Sequence, residues 1–203
     1  MRIWNPGKNE SLMNIIETLR SQHIYEDEAL YLRLIIETDK EEYFELPGNL
    51  GETVLNALWK NALFSENSIT FAAVEKRTGK MIGTGSVNNR TENCLELGYE
   101  VLESKQGRGF GTQILLGLIR MARPYSDVKK IIARVRADNS ASIHIIEKAG
   151  GVKTAEEPSW YEELVAKDGE EFWSKHSERL DHVRTLVYEF RTNQEEKGVD
   201  LRE

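Results

Sequence analysis

Residues 106–112 read Gln-Gly-Arg-Gly-Phe-Gly-Thr, with glycines at 107, 109 and 111 and an arginine between the first two. Glycine lets backbone N–H groups approach a ligand without interference from a Cβ, and ordering it costs entropy. Leu95, Leu97, Tyr99 and Val101 alternate just before this stretch, and Ile114, Leu115, Leu118, Ile119 and Ala122 recur at helical spacing just after it. A strand, a glycine-rich turn and a helix bring free N–H groups and a helix N-terminus to one point. Such a point binds phosphate or pyrophosphate. A Walker loop would end in Gly-Lys-Ser/Thr, but Gly111 is followed by Thr112 with no lysine. A dinucleotide fingerprint starting at Gly107 or Gly109 would need glycine at 112 or 114, where Thr112 and Ile114 stand. A third pattern, Gln/Arg-x-x-Gly-x-Gly/Ala, is met in full by Gln106, Gly109 and Gly111.

The elements that hold this turn follow from periodicity and punctuation. Residues 11–22 predict a short helix with Ser11 as N-cap, and 29–38 predict a strand. Residues 39–46 and 51–64 predict helices, the second burying Val54, Leu55, Leu58, Ala62 and Leu63 as one stripe. Residues 68–76 and 80–88 predict strands joined by Arg77, Thr78 and Gly79, a hairpin signal. Residues 88–93 predict a turn and 94–103 the next strand. The helix over 112–123 stops at Pro124. Residues 128–138 predict a strand, and 139–150 a helix with Asn139 as N-cap and Gly150 as C-cap. Two more strands fall between Val152 and about Arg191, the last at Thr185–Arg191; around 170–182 the pattern does not separate helix from loop. The fold class expected is α/β (α+β), a three-layer domain with a mixed sheet.

A chain of 203 residues suits one domain with a sizeable core. The expected organisation is a single domain over 1–203, with its core at about 29–192, an N-terminal helical extension over 1–28 and a polar tail over 193–203. A net charge of -7 argues against nucleic acid as a partner. No apolar run reaches the ~20 residues that span a bilayer. The first ten residues lack the apolar core of a signal peptide, so the cytoplasm is the expected compartment. Cys94 is the sole cysteine, which excludes an intrachain disulfide and a multi-cysteine zinc site, and the histidines show no HExxH spacing; no metal is expected.

On these residues the chain resembles the GNAT superfamily of acyl-CoA N-acyltransferases. The run Leu95–Ala122 looks like the family's fourth strand, pyrophosphate loop and helix without gaps. Further on, Val135–Gly150 looks like its next strand and helix, with Asn139, Ser142, Glu147, Lys148 and Gly150 in register. The wording is most similar to the branch of ribosomal-protein and small-amine N-acetyltransferases. The resemblance is specific over roughly 94–151. It implies a mostly antiparallel sheet with helices on both faces and splayed fourth and fifth strands.

The resemblance also implies roles. Acetyl-CoA is the co-substrate, and the partner is an amine, either a small molecule or a protein N-terminus; a homodimer is compatible with this reading. The pantetheine arm would pair with backbone near Tyr99 and Val101. The pyrophosphate would sit on Gln106, Gly107, Arg108, Gly109, Phe110, Gly111 and Thr112, with Arg108 adding charge. Asn139 and Ser142 would meet the cofactor from the second helix. Acetyl transfer to an amine needs a base, a polarised carbonyl and a proton for the leaving thiolate. Glu96 and Glu100 share one strand face, and Glu96, through water, is the expected base. Ser142 could hydrogen-bond the thioester or the departing thiolate.

Two positions depart from the family. Ile146 stands where many members carry a tyrosine that protonates the thiolate, and Gly151 where an aromatic residue usually follows the glycine. The expected substitute acid is Tyr161 or a water held by Ser142. The expected function is therefore transfer of acetyl from acetyl-CoA to a primary amine by direct attack in a ternary complex. The rival is a non-catalytic acyl-CoA-binding or regulatory module that kept the loop after losing its acid. A nucleotide-binding protein would need a lysine or acidic partner near the loop, and none is expected there.

Overall fold

The computed structural model describes residues 10–21, 25–46, 51–91, 93–125, 127–159, 162 and 183–192. Its elements are α1 (Glu10–Ser21), β1 (Tyr25–Glu26), β2 (Leu30–Leu34), α2 (Lys40–Glu45), α3 (Glu52–Phe64), β3 (Ser68–Glu75), β4 (Lys80–Thr91), β5 (Cys94–Val101), α4 (Phe110–Ala122), β6 (Lys130–Arg136), α5 (Ser140–Lys148), β7 (Val152–Glu157) and β8 (Thr185–Phe190). The strands form one sheet in the order β1-β2-β3-β4-β5-β6-β8-β7. The pairs are antiparallel except β5–β6, which is parallel. This is the mixed, mostly antiparallel α/β architecture expected.

The β5–β6 ladder holds only Cys94–Lys130, Leu95–Ile131 and Glu96–Ile132. Both strands run on beyond it, β5 to Val101 and β6 to Arg136, so they splay. Counted from Leu30, these are the fourth and fifth strands.

The two sheet faces bury different helices. Ile114, Leu115, Leu118, Ile119 and Ala122 of α4 lie in one core with Ile15, Ile16 and Leu19 of α1 and Ile146 of α5. Full burial of each leucine or isoleucine among them contributes about 1.5–3 kcal/mol. On the other face, Trp59 and Ala62 of α3 pack with Ala72, Val74 and Met81, joined by Tyr43 and Phe44 of α2.

Several boundaries differ from expectation. Ser11 lies inside α1, which opens at Glu10. Ile15, Ile16 and Leu19 of α1 pack into the main core. The strand from 29 ends at Leu34 because Asp39 draws the chain away; its carboxylate accepts from Arg33 at 2.6 and 2.7 Å and from the Ile36 N–H at 2.9 Å. The stripe expected on α3 is rotated: Val54 and Leu58 are exposed, while Trp59 turns inward because its ring packs on Tyr43 at 5.1 Å. Residues 88–91 extend β4 instead of turning; Asn88 and Asn89 pair with Glu96 and Leu95, and Asn93 takes the left-handed conformation. The glycine-loop helix starts at Phe110, because Gly109 already serves as its N-cap. Tyr161 and residues 170–182 lie outside the described residues. No helix among the described residues is long and apolar enough to cross a membrane.

Candidate functional site

The glycine loop lies between the end of β5 and the start of α4. After Val101 the chain makes one 3-10 turn, Glu103–Lys105. The Gln106 side-chain amide then donates to the Val101 carbonyl at 3.1 Å, which fastens the loop to the strand. Gly107 and Gly109 have φ of 70° and 83°, a region that costs other residues about 1–2 kcal/mol. A Cβ built on either meets no protein atom within 4 Å, so the space beside this backbone is open. Gly109 has no side chain to accept from the first N–H groups of α4, and the helix ladder begins only with Gln113 N–H to Gly109 C=O at 3.2 Å. Free N–H groups at an open helix N-terminus fit a phosphate. Gly111 has a different reason: a Cβ there would lie 3.0 Å from Ile145 and 3.2 Å from the Tyr99 ring. It lets α4, α5 and β5 close together.

The charges beside the loop converge on Glu75, the last residue of β3. Glu75 is 3% exposed. Its carboxylate accepts from Lys105 at 2.8 Å and Thr78 at 2.9 Å, and meets Arg108 at 3.3 Å and Arg77 at 3.6 Å. The Lys105 hydrogen bond first, then that of Thr78 and the charges of Lys105 and Arg77, hold the carboxyl down to about 2. Arg108 also lies over the Phe110 ring at 5.0 Å.

Across the splay stands α5. The Asn139 side chain accepts from the Ser142 N–H at 3.0 Å, as an N-cap should. The Tyr99 hydroxyl reaches the Ser142 carbonyl at a long 3.5 Å, and burial pushes its phenol up. The far side of β5 carries Glu96 and Glu100. Glu96 accepts from Arg90 at 3.1 Å; Arg90 also reaches Glu157 at 3.2 Å, which pairs with Arg134 at 2.8 Å. Glu100 lies opposite Thr84, and its carboxyl is raised by desolvation. It faces α2: the Tyr43 phenol is pushed up to about 12, first by burial and then by the Glu100 charge.

The family model for an acetyltransferase (GNAT) domain matches residues 18–152. The chain belongs to the GNAT acetyltransferase family. It is an acetyl-CoA-dependent N-acetyltransferase by that membership. Solved GNAT structures share its fold. A ribosomal-protein-S5-alanine acetyltransferase from Vibrio fischeri superposes with a TM-score of 0.63 at 18% identity, covering 85% of this chain and 98% of the other. A spermidine N-acetyltransferase SpeG chimera from Vibrio cholerae and hSSAT gives 0.62 at 14%, covering 83% and 99%. A ribosomal L7/L12 alpha-N-protein acetyltransferase solved with coenzyme A gives 0.60 at 17%, covering 84% and 99%.

In this GNAT chain the structure brings Gln106 to Thr112, Tyr99, Asn139 and Ser142 to one side of the sheet around the splay. Glu96 and Glu100 lie on the opposite face of β5 from Tyr99 and Val101. Ile146 is 2% exposed and has no acidic group to donate a proton. The expectation of no lysine or acidic partner near the loop is corrected by Lys105 and Glu75, which pair beside it, and Tyr43 was also missed. Glu75 was legible only as the end of a strand, because its partners Lys105 and Arg108 stand 30 and 33 positions away.

Proposed function

We propose that the protein transfers acetyl from acetyl-CoA to a primary amine by direct attack within a ternary complex. The observation that carries this is the splay between β5 and β6 beside the open N-terminus of α4. A thioester arm laid in that gap would have its diphosphate on the N–H groups of Gly107 to Thr112. No strand among the described residues pairs with the β6-facing edge of β5 beyond Glu96, so backbone there is free to pair with pantetheine. The amine would approach from the face of Glu96 and Glu100. Its nitrogen attacks the thioester carbonyl, the C–S bond breaks, and the acetyl group ends on nitrogen. Glu96, oriented by Arg90, takes the amine proton through water. Ser142 and Tyr161 are the groups assigned to the departing thiolate. The acceptor is a small amine or a protein N-terminus; the fold relatives include a spermidine N-acetyltransferase and an alpha-N-protein acetyltransferase.

Ile146 supports the second reading, a non-catalytic acyl-CoA-binding module, because the buried isoleucine cannot protonate a thiolate. Thiol release from acetyl-CoA, followed with a thiol reagent across polyamines, aminoglycosides, amino acids and peptides with free N-termini, separates the two. The enzyme reading requires at least one amine to raise release well above buffer. Tight CoA binding with no turnover on any amine supports the module.

A further inference from the structure

Glu75 is a buried charge outside the atoms that meet substrate. A buried carboxylate must be paired, and a few donors saturate it. Here Lys105 and Thr78 share one oxygen, while Arg108 and Arg77 approach the other. Three cations meet one anion, so positive charge remains in excess at the head of α4, where the helix end is itself positive. Lys105 and Arg108 flank Gln106 and Gly107. Left free, their long stems would sample many rotamers and lose that freedom when a diphosphate bound. Tied to Glu75, they are already placed. The geometry of the hairpin makes the tie possible: β3 and β5 run in the same direction on either side of β4, so the end of β3 and the loop after β5 share one end of the sheet.

We propose that Glu75 is a positioning residue for acetyl-CoA, holding Lys105 and Arg108 beside Gly107–Gly109 so that their excess charge faces the cofactor's diphosphate. This rests on the cofactor site proposed above. Two other roles are conceivable for the same carboxylate. It could serve only the fold, or its negative charge could repel the phosphates.

Calorimetric binding of CoA to the full chain distinguishes these. Glu75→Gln should weaken CoA about five- to tenfold, from the cost of immobilising one or two freed side chains. KM for acetyl-CoA should rise in step while kcat holds. Arg108→Ala should cost less affinity in the Glu75→Gln background than alone, because the second residue acts through the first. Unchanged CoA affinity with a lowered Tm, or additive effects with Arg108, would leave Glu75 a fold residue and overturn the proposal. Tighter binding would also overturn it and make the carboxylate a repulsive element. Thr78→Val removes one partner of Glu75 from an exposed turn and should weaken CoA in the same direction by less. If Glu75→Gln fails to fold, that variant decides, and unchanged binding there refutes the proposal. Wild-type protein that does not bind CoA would defeat the cofactor reading as well; wild-type binding with unchanged variants defeats this inference alone.

Discussion

A Cβ added to Gly151 would lie 2.7 Å from Ile146 Cγ2, so the two departures from the family pattern touch each other. The Ile146 carbonyl at 3.0 Å and the Phe190 ring at 3.1 Å close the same space. A branched side chain at 146 fills the volume that a larger residue at 151 would need. Isoleucine at 146 and glycine at 151 therefore form one packing arrangement.

Gly151→Ala should therefore destabilise the protein by about 1–3 kcal/mol through overpacking. Ile146→Ala should cost about 2–5 kcal/mol by leaving a cavity. The double variant should cost less than the sum, because the alanine at 151 then has room. Urea unfolding of the four proteins measures this, and additivity within about 0.5 kcal/mol would show that the contact does not couple them.

Gly109→Val should abolish CoA binding while the far-UV dichroism stays that of the wild type. Its side chain would project into the open space beside the loop, and the positive φ adds strain of about 1–2 kcal/mol. Retained CoA affinity would move the diphosphate elsewhere.

The depressed Glu75 carboxyl makes a statement about acid stability. Its value falls from 4.5 to about 2 on folding, so the unfolded chain binds the proton more readily. Its contribution is fully present above pH 4.5 and fades as pH drops toward about 2. Replacing it with glutamine removes that pH-dependent part. Thermal melts across this range should show the gap between wild type and Glu75→Gln narrowing as pH falls; a constant gap would contradict the charge origin.

Glu96→Gln should lower kcat by about two orders of magnitude if the carboxylate removes the amine proton, with KM for acetyl-CoA little changed. Glu100→Gln should act on the amine instead, raising its KM. Steady-state kinetics with both substrates varied separates the two. Equal kcat losses at both glutamates would assign them one shared role.

What the sequence made legible was local. The alternation of Leu95, Leu97, Tyr99 and Val101, the glycines, and the helical recurrence from Ile114 to Ala122 all lie within one strand–turn–helix, where neighbours in sequence are neighbours in space. The Asn139 cap was legible for the same reason: its acceptor reaches Ser142 within one turn. Long-range choices were not. Val54 and Leu58 fit a helical stripe as well as Trp59 does, and only packing on Tyr43 selects the face. Asn88–Thr91 carry turn residues, but pairing with β5 outweighs that preference. The ion pairs of Arg90 with Glu96 and Glu157 join three strands and have no sequence pattern to announce them.

The short β5–β6 ladder also has a mechanical meaning. Between the antiparallel meander of β1 to β5 and the group β6, β8 and β7, the sheet is continuous over only Cys94–Glu96 and Lys130–Ile132. Across this seam the two groups are joined by the side chains of the shared core, with few backbone rungs. A molecule lying in the gap would act as an inserted splint, supplying the missing rungs from both sides. Substrate occupancy would then stiffen the whole sheet, with slower amide exchange in β6 and β8 as well as at the loop, and a melting temperature that climbs with ligand concentration.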